Sequence, residues 1–412
     1  MVRNIFSSNK KNLTRVVFYF SVLIAFFCDI KALNVYLSRN VNTEAGESGP
    51  MALMYMVSVL GIGIGYYLSS LKHLKHIPVY AVSLFIWLIV FYMITLFMIA
   101  PPLTSLTFFV VFTLSSFMIP FISMVDGKVM LKTIMLLVFP VVFNLNEVFA
   151  PAKWYQDHIS MGISYSFLMP VVASIVYMFC YFGKESKLEK TVSILGFSVN
   201  MVFAYYLITQ GSRGPILSIL LTVAFLLFFK KKPYSLGIMT VKGIYLWIGI
   251  LVVSIGIFFV PLLNMVHDIL SDAGMSVNSI DKFISLNQEN DLTNGREMIY
   301  AIAIADILEK PLLGWGMDLF DYYHPGTSYP HNFLLQILYD GGLLLFMILI
   351  VPLYRGTKKL WISCTHDEYA VYTALFFGSV PGALFSDDLW KNCFLWLLFG
   401  ALLSKSFVIK RI

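Results

Sequence analysis

The sequence predicts an all-α, polytopic membrane protein with about twelve transmembrane helices and one large extracytoplasmic loop between spans 9 and 10. Three observations carry this prediction: the composition, the lengths of the apolar runs and the distribution of lysine and arginine. Hydrophobic residues make up 58% and charged residues 13% of the 412 positions, far from the balance of a soluble domain. Most of the chain is therefore expected to lie in lipid.

Twelve apolar runs have about the length that crosses the roughly 30 Å hydrocarbon core of a bilayer. They are residues 16–36, 51–71, 78–98, 103–124, 131–150, 161–182, 191–209, 216–229, 243–263, 332–354, 369–385 and 389–403. We therefore interpret residues 1–412 as a single integral membrane domain. The longest polar stretch, residues 264–330, is predicted to be the extracytoplasmic loop and to carry part of the active site.

The basic residues predict the orientation, because lysine and arginine near the ends of spans resist translocation. With a cytoplasmic N-terminus, 21 of the 29 lysines and arginines fall in cytoplasmic segments, and both termini are cytoplasmic. The net charge of +6 follows from this topology and requires no nucleic-acid partner. Neither a GxxxxGK[ST] loop nor a dinucleotide fingerprint occurs, which disfavours transport driven by ATP hydrolysis on this chain.

The polar stretch contains an amphipathic helical run that begins at Arg296 and ends at Pro311. Arginine is slightly unfavourable in a first helical turn, but an anion bound by the free N–H groups there would reverse this effect. A turn formed by Gly314, Trp315 and Gly316 follows, and its glycines let the backbone approach a ligand closely. The alternative is a solvated arginine on an exposed helix.

Three further polar positions lie at the outer ends of spans or just inside them. Arg213 precedes the eighth span and either faces a polar cavity or anchors the span to lipid phosphates. His331, with Asn332 beside it, stands at the entry of the tenth span and either moves a proton or acts as an interfacial cap. Asp340 lies about 13 Å deeper. It is expected to face the bundle interior, to have either a partner or a water-filled cavity, and to support a kink at the glycines that follow it.

These motifs resemble the O-antigen polymerase and O-antigen ligase family of membrane glycosyltransferases. The resemblance covers about residues 191–354 and rests on three motifs in order. They are Ser212-Arg213-Gly214, then Arg296 with Pro311 and Gly314-Trp315-Gly316, then His331-Asn332 with Leu335, Asp340 and Gly341. The resemblance implies the transfer of a glycan from undecaprenyl pyrophosphate to an acceptor hydroxyl, at the outer face of the bacterial cytoplasmic (inner) membrane.

On this resemblance the chain is predicted to polymerise O-antigen, capsular or other surface polysaccharide from lipid-linked repeat units, within lipopolysaccharide or polysaccharide biosynthesis. The implied partners are the lipid-linked oligosaccharide, the acceptor glycan, membrane lipid, a chain-length regulator and a flippase, with no cofactor and no metal. The predicted roles are His331 as the catalytic base, Arg213, Arg296 and Asn332 in substrate binding, and Gly314, Gly316 and Asp340 in structural support.

Two other functions stay open. An O-antigen ligase, which transfers finished glycan to lipid A-core, would use nearly the same site. A lipid-linked oligosaccharide flippase or transporter also commonly has about twelve spans, but it is expected to concentrate charged residues near the bilayer midplane. Here the arginines and the histidine lie at the outer boundary, and Asp340 is the exception.

Overall fold

The computed structural model describes residues 79–99, 112–113, 115–122, 125–139, 159–209, 213–228, 265, 267–268, 272, 284, 296–385 and 387–407. Every regular element in these residues is helical, which confirms the all-α class. The first, second and ninth predicted spans lie outside the described residues, as do parts of the fourth and fifth. The count of twelve spans therefore stays a prediction.

The described helices follow the predicted apolar runs closely. They are α1 (Val79–Ile99), α2 (Met118–Phe121), α3 (Gly127–Leu136), α4 (Ile159–Tyr181), α5 (Lys187–Thr209), α6 (Arg213–Phe228), α7 (Arg296–Glu309), α8 (Phe320–Tyr323), α9 (Phe333–Ile362), α10 (His366–Phe385) and α11 (Cys393–Phe407). Among the described residues, one stretch, Phe333–Leu360 in α9, has both the length and the hydropathy to cross a membrane, and α1, α4, α6 and α11 contain shorter apolar stretches.

The helices pack around one large buried cluster of apolar side chains. Helix α4 lies at its centre and packs against α3, α5, α6 and α10, while α11 packs against α9, α10, α2 and α1. Aromatic rings fill the space between helices: Trp390 and Trp396 stack with ring centroids 5.6 Å apart, and Phe167 stacks on Phe203 at 4.2 Å. This packing holds the outer helix ends at defined distances from one another.

Two predicted boundaries are wrong. The last span does not begin at residue 389: Leu389–Lys391 forms a short 3-10 turn, whose N-cap Asp388 accepts a hydrogen bond from the Trp390 N–H at 3.0 Å, and α11 begins at Cys393. The tenth span does not end at residue 354, because α9 continues to Ile362. The basic residues from Arg355 onwards continue the helix, since straight-chain cations are good helix formers.

Helix α9 is broken at Gly342, whose φ of 59° and ψ of −160° are not helical. The break frees backbone groups on both sides, and an inserted turn, residues 311–316, bonds to them. Four hydrogen bonds join the two segments: Leu343 N–H to Pro311 O (2.8 Å), Leu344 N–H to Leu312 O (3.2 Å), Trp315 N–H to Tyr339 O (2.7 Å) and Gly316 N–H to Asp340 O (2.9 Å). The expected kink near Asp340 is thus present, and the inserted turn replaces the lost helical bonds.

Two glycines make this close approach possible. A Cβ added at Gly314, where φ is 70°, would lie 2.5 Å from the Tyr339 carbonyl oxygen. A Cβ added at Gly342 would overlap the backbone of Leu312. Both positions combine a left-handed φ with backbone-to-backbone contact, so a side chain is excluded at each for two reasons.

Candidate functional site

Tyr329 lies among several polar residues at the outer end of the bundle. The outer end is the one that the predicted orientation places outside, where α5 ends and α9 and α11 begin. Its ring lies 4.3 Å from the His331 ring, measured between centroids. Burial raises the pKa of the Tyr329 hydroxyl and the Asp387 and Asp388 carboxylates raise it further, whereas the Arg296 guanidinium lowers it. The structure therefore places the Arg296 guanidinium within electrostatic range of the tyrosine whose ring contacts His331.

Tyr165 on α4 connects the start of α6 to the same site. A Cβ added at Gly214 would overlap the Tyr165 hydroxyl oxygen, and a Cβ added at Gly382 would lie 3.0 Å from the Tyr165 ring. Tyr165 also interacts electrostatically with Tyr329. Arg213 is the first residue of α6, directly before Gly214, so its backbone lies beside Tyr165. The predicted role of Arg213 in substrate binding stays a prediction.

His331 has a left-handed backbone with φ at 53°, a conformation that costs a non-glycine residue about 1–2 kcal/mol. Such outliers cluster at functional sites, where the surrounding structure holds them in place. Asn332, and not His331, caps α9. Its Oδ1 accepts hydrogen bonds from the N–H groups of Leu334 at 3.0 Å and Leu335 at 3.3 Å. The cap explains Asn332 structurally, and its contact with substrate stays a prediction.

Asp340 lies beneath the site and is 2% exposed. It accepts a hydrogen bond from the Trp390 indole N–H, so the structure supplies both the inward orientation and the partner expected for it. One turn earlier on α9, the Gln336 amide donates to Asp388 at 2.8 Å, and Asp388 also pairs with Lys391 at 3.0 Å. These bonds tie α9 to the segment between α10 and α11.

The acidic residues of that segment were not singled out from the sequence. Asp387 accepts from the Asn392 amide at 2.9 Å, and its own N–H donates to the Gly382 carbonyl at 3.0 Å. Two adjacent acids between the last two apolar runs are unusual in so apolar a chain, and this signal could have identified them. Their proximity to Arg296 and His331 depends on packing, which the sequence does not display.

Asp318 adds a third carboxyl group to this region. Burial raises its pKa to about 7, the Lys391 ammonium opposes the shift, and the Asp388 and Asp321 carboxylates reinforce it. Its backbone is also left-handed, with φ at 60°. A carboxyl group with this pKa exchanges its proton near neutral pH.

A small outer core holds α7, and with it Arg296, in position. Ala303 on α7 packs with Phe320 and Tyr339, while Trp315 donates its indole N–H to the Asp306 carbonyl at 2.8 Å. The Asp306 carboxylate lies 2.5 Å from the His324 ring nitrogen, which links α7 to α8. Helix α7 is thereby fixed against α9.

Among the described residues, fold and site define an all-α bundle with one stretch long and apolar enough to cross a membrane, and with His331 at one end beside a tyrosine in electrostatic range of Arg296. A family described as O-antigen ligase matches residues 198–350, a stretch that contains Arg213, Arg296, His331 and Asp340. The match confirms the resemblance to the O-antigen polymerase and ligase family over this part of the chain, and with it a ligase- or polymerase-like glycosyltransferase function in general. No curated protein matches the chain.

Proposed function

We propose that the protein is a polysaccharide polymerase of the bacterial inner membrane, transferring glycan repeat units from undecaprenyl pyrophosphate to an acceptor glycan at the outer face. The observation that carries the proposal is that Tyr329 contacts the His331 ring and lies within electrostatic range of Arg296. A cation suited to a pyrophosphate and a base suited to a hydroxyl lie at one site, and both belong to motifs inside the matched family region.

In the proposed reaction the acceptor hydroxyl attacks the anomeric carbon of the donor glycan. A new carbon–oxygen bond forms while the bond to the pyrophosphate oxygen breaks, and the polyprenyl pyrophosphate leaves with that electron pair. His331 takes the hydroxyl proton. Arg296 and Arg213 stabilise the charge on the leaving group, because a planar guanidinium binds two phosphate oxygens at once and stays charged.

The outer rim offers polar groups that suit a glycan acceptor. Asp318, Asp321 and Asp388 lie close enough together to influence one another, with Lys391 among them. Their carboxyl groups would accept hydrogen bonds from sugar hydroxyls. The exposed Tyr322 and Tyr323 rings offer aromatic faces on which sugar rings pack.

The O-antigen ligase is the second candidate, since the matching family carries that description. Deleting the gene and resolving the surface glycan by size separates the candidates. A polymerase leaves a single repeat on the lipid anchor, whereas a ligase leaves polymer on the carrier. A flippase would leave repeat units facing the cytoplasm, and an unchanged glycan would overturn the family-level proposal for this cell.

Complementing the deletion with Arg296 variants tests the site itself. Arg296→Ala should reduce transfer by about 10²–10³-fold, as the loss of one preorganised charge donor typically does. Arg296→Lys keeps the charge but loses the two-pronged contact, so we expect it to recover only part of the activity. The exposed Lys187, far from the site at the start of α5, supplies the control Lys187→Ala. Full activity of Arg296→Ala would remove that residue from the site.

The orientation and partners are part of the same proposal. A reporter that is active only outside the cytoplasm should work when fused within residues 264–330 and fail when fused after Lys184. We also infer cytoplasmic termini, a flippase that delivers the lipid-linked unit, and a chain-length regulator. An inside location for residues 264–330 would place Arg296 on the wrong side for this reaction.

A further inference from the structure

The inserted turn, residues 311–316, and the last turn of α7 present an apolar surface that no described residue covers. Leu308 is 74% exposed, Leu312 66% and Leu313 67%. We propose that this surface lies within the outer leaflet of the membrane and that acyl chains of bilayer lipids cover it. The inserted turn and the last turn of α7 would then lie partly in the membrane rather than in the extracytoplasmic water.

The position of the turn along α9 gives its depth. Leu344 bonds to the Leu312 carbonyl and precedes Arg355 by eleven residues, about 17 Å along a helix. Arg355 is exposed and is the first of the basic residues near the cytoplasmic end of α9. Measured from Lys359 instead, the distance is about 23 Å. Both values fall inside the roughly 30 Å of hydrocarbon, so the turn meets α9 below the outer headgroups.

The exposed surface of the turn is continuous with the exposed side of α9. Beyond the break, Leu343 is 47% exposed, Leu344 51% and Met347 49%, all on the stretch with the length and hydropathy of a span. In a membrane these side chains contact lipid. Because Leu312 is joined to this stretch by a backbone hydrogen bond and Leu313 follows it in the chain, the same lipid covers both.

Five backbone polar groups of the turn meet the condition for lying in hydrocarbon. Irregular backbone at membrane depth is tolerated where protein groups satisfy its polar atoms. The carbonyls of Pro311 and Leu312 accept from α9, and the N–H groups of Trp315 and Gly316 donate to it. The Gly314 N–H donates to the Lys310 carbonyl at 3.1 Å. Polar atoms of the turn therefore face protein while its two leucines face outwards.

The residues that flank the leucines suit a membrane interface. The Lys310 ammonium lies 3.5 Å from the centre of the Trp315 ring, a cation–π contact that lowers the cost of holding the charge near lipid. Tryptophan and lysine are both common at the headgroup level, where a long stem lets the charge reach water. This pair would mark the upper edge of the embedded surface.

The test places a nitroxide at single positions of the full-length protein, through a ketone-bearing amino acid that leaves the native cysteines unused. The protein is reconstituted in vesicles of phosphatidylethanolamine and phosphatidylglycerol. Collision rates of the nitroxide with oxygen and with a polar nickel chelate are then measured at position 313. Position 347 on α9 serves as the lipid-facing reference, and position 322, where Tyr322 is 55% exposed, serves as the reference for water.

We expect the oxygen-to-nickel ratio at position 313 to match that at 347 and to exceed that at 322 roughly tenfold, because the polar chelate stays out of hydrocarbon. A ratio like that at 322 would place the turn in water and overturn the proposal. Low collision rates with both reagents would show that a protein surface covers the leucines, and would overturn it equally. Neither outcome depends on catalytic activity, so the result is separate from that of the proposed function.

Discussion

The two ends of the helix bundle place their carboxyl groups in different environments. At the inner end, near the start of α5, Glu185 lies 2.9 Å from the Lys132 ammonium and accepts from the Tyr177 hydroxyl at 2.6 Å. Burial alone would raise the pKa of Glu185, but the bonds from Tyr177 and Lys132 outweigh it and hold the pKa below its ordinary value. The inner charge is therefore paired and stabilises the fold.

At the outer end the carboxyl groups lie near one another. Burial and the neighbouring acids hold the pKa of Asp318 at about 7, although Lys391 opposes the shift. The backbone differs as well: Asp318 and His331 have left-handed φ angles, and α9 is broken at Gly342. The left-handed backbones and the clustered carboxyl groups both cost stability at the outer end. Such costs are tolerated where a functional site requires them, so they indicate a functional role for this end.

This contrast makes a general prediction. Substitutions of polar side chains in the candidate site should lower the transfer rate more than stability, whereas substitutions in the inner ion pair should do the reverse. A substitution at the break in α9 should lower both. The following experiments test it from the largest expected effect to the smallest.

His331→Ala should slow transfer by about 10²–10⁴-fold, the usual contribution of a general base. Binding of the lipid-linked donor should persist, because the imidazole is assigned to the acceptor. The measurement is donor binding to the purified variant without acceptor, set beside the transfer rate. A normal rate would make His331 an interfacial residue. Loss of donor binding would move it to the pyrophosphate site.

Gly342→Ala should lower stability by about 2–5 kcal/mol, the sum of a left-handed alanine and an overlap with the Leu312 backbone. Transfer should fall as well, because the break in α9 holds the inserted turn. Gly326→Ala is the matched control: its φ is 96°, but a Cβ there meets nothing within 4 Å. Thermal unfolding in detergent compares them, and equal melting temperatures would mean that the backbone contact is unimportant.

Lys132→Ala should lower stability by about 3 kcal/mol, because it leaves the buried Glu185 carboxylate without its cation. The transfer rate per folded molecule should stay unchanged, since the pair lies at the end opposite the site. Lys187→Ala, at an exposed position nearby, should change stability by less than about 0.5 kcal/mol. A reduced rate with normal stability would contradict the assignment of structural and functional ends.

Asp318→Asn should change the pH dependence of stability. The pKa of Asp318 is about 7 in the folded protein, whereas an unperturbed aspartate has a pKa of 3.8, so the folded state holds a proton that the unfolded state has released. Stability then falls as pH rises through this window. Asparagine mimics the protonated form and tolerates the left-handed backbone.

The melting temperatures of the wild type and Asp318→Asn should therefore agree near about pH 3.5, separate as the pH rises to about 7 and keep that difference above it, with the variant more stable. Thermal melts at matched ionic strength measure the difference. Parallel curves across this range would show that Asp318 keeps an ordinary carboxyl pKa.

Much of the candidate site could be predicted from contiguous residues. The amphipathic run that begins at Arg296 is α7, the glycine turn follows it, and Asp340 is buried with a partner, as expected. Each of these features follows from local periodicity, turn chemistry or the cost of an acid in an apolar segment. Tyr165 and Tyr329 escaped prediction because neither tyrosine belongs to a sequence motif that marks it as a site residue.

By itself, the sequence determined the helical class, the apolar runs and the short motifs, because each depends on residues that are neighbours in the chain. The tertiary structure alone decided that residues 311–316 fill the break in α9, and that Tyr329, beside His331, lies within electrostatic range of Arg296. Those contacts unite separate segments through backbone bonds and ring packing. Such contacts depend on how closely the helices pack in the folded protein, and the order of residues along the chain does not show this.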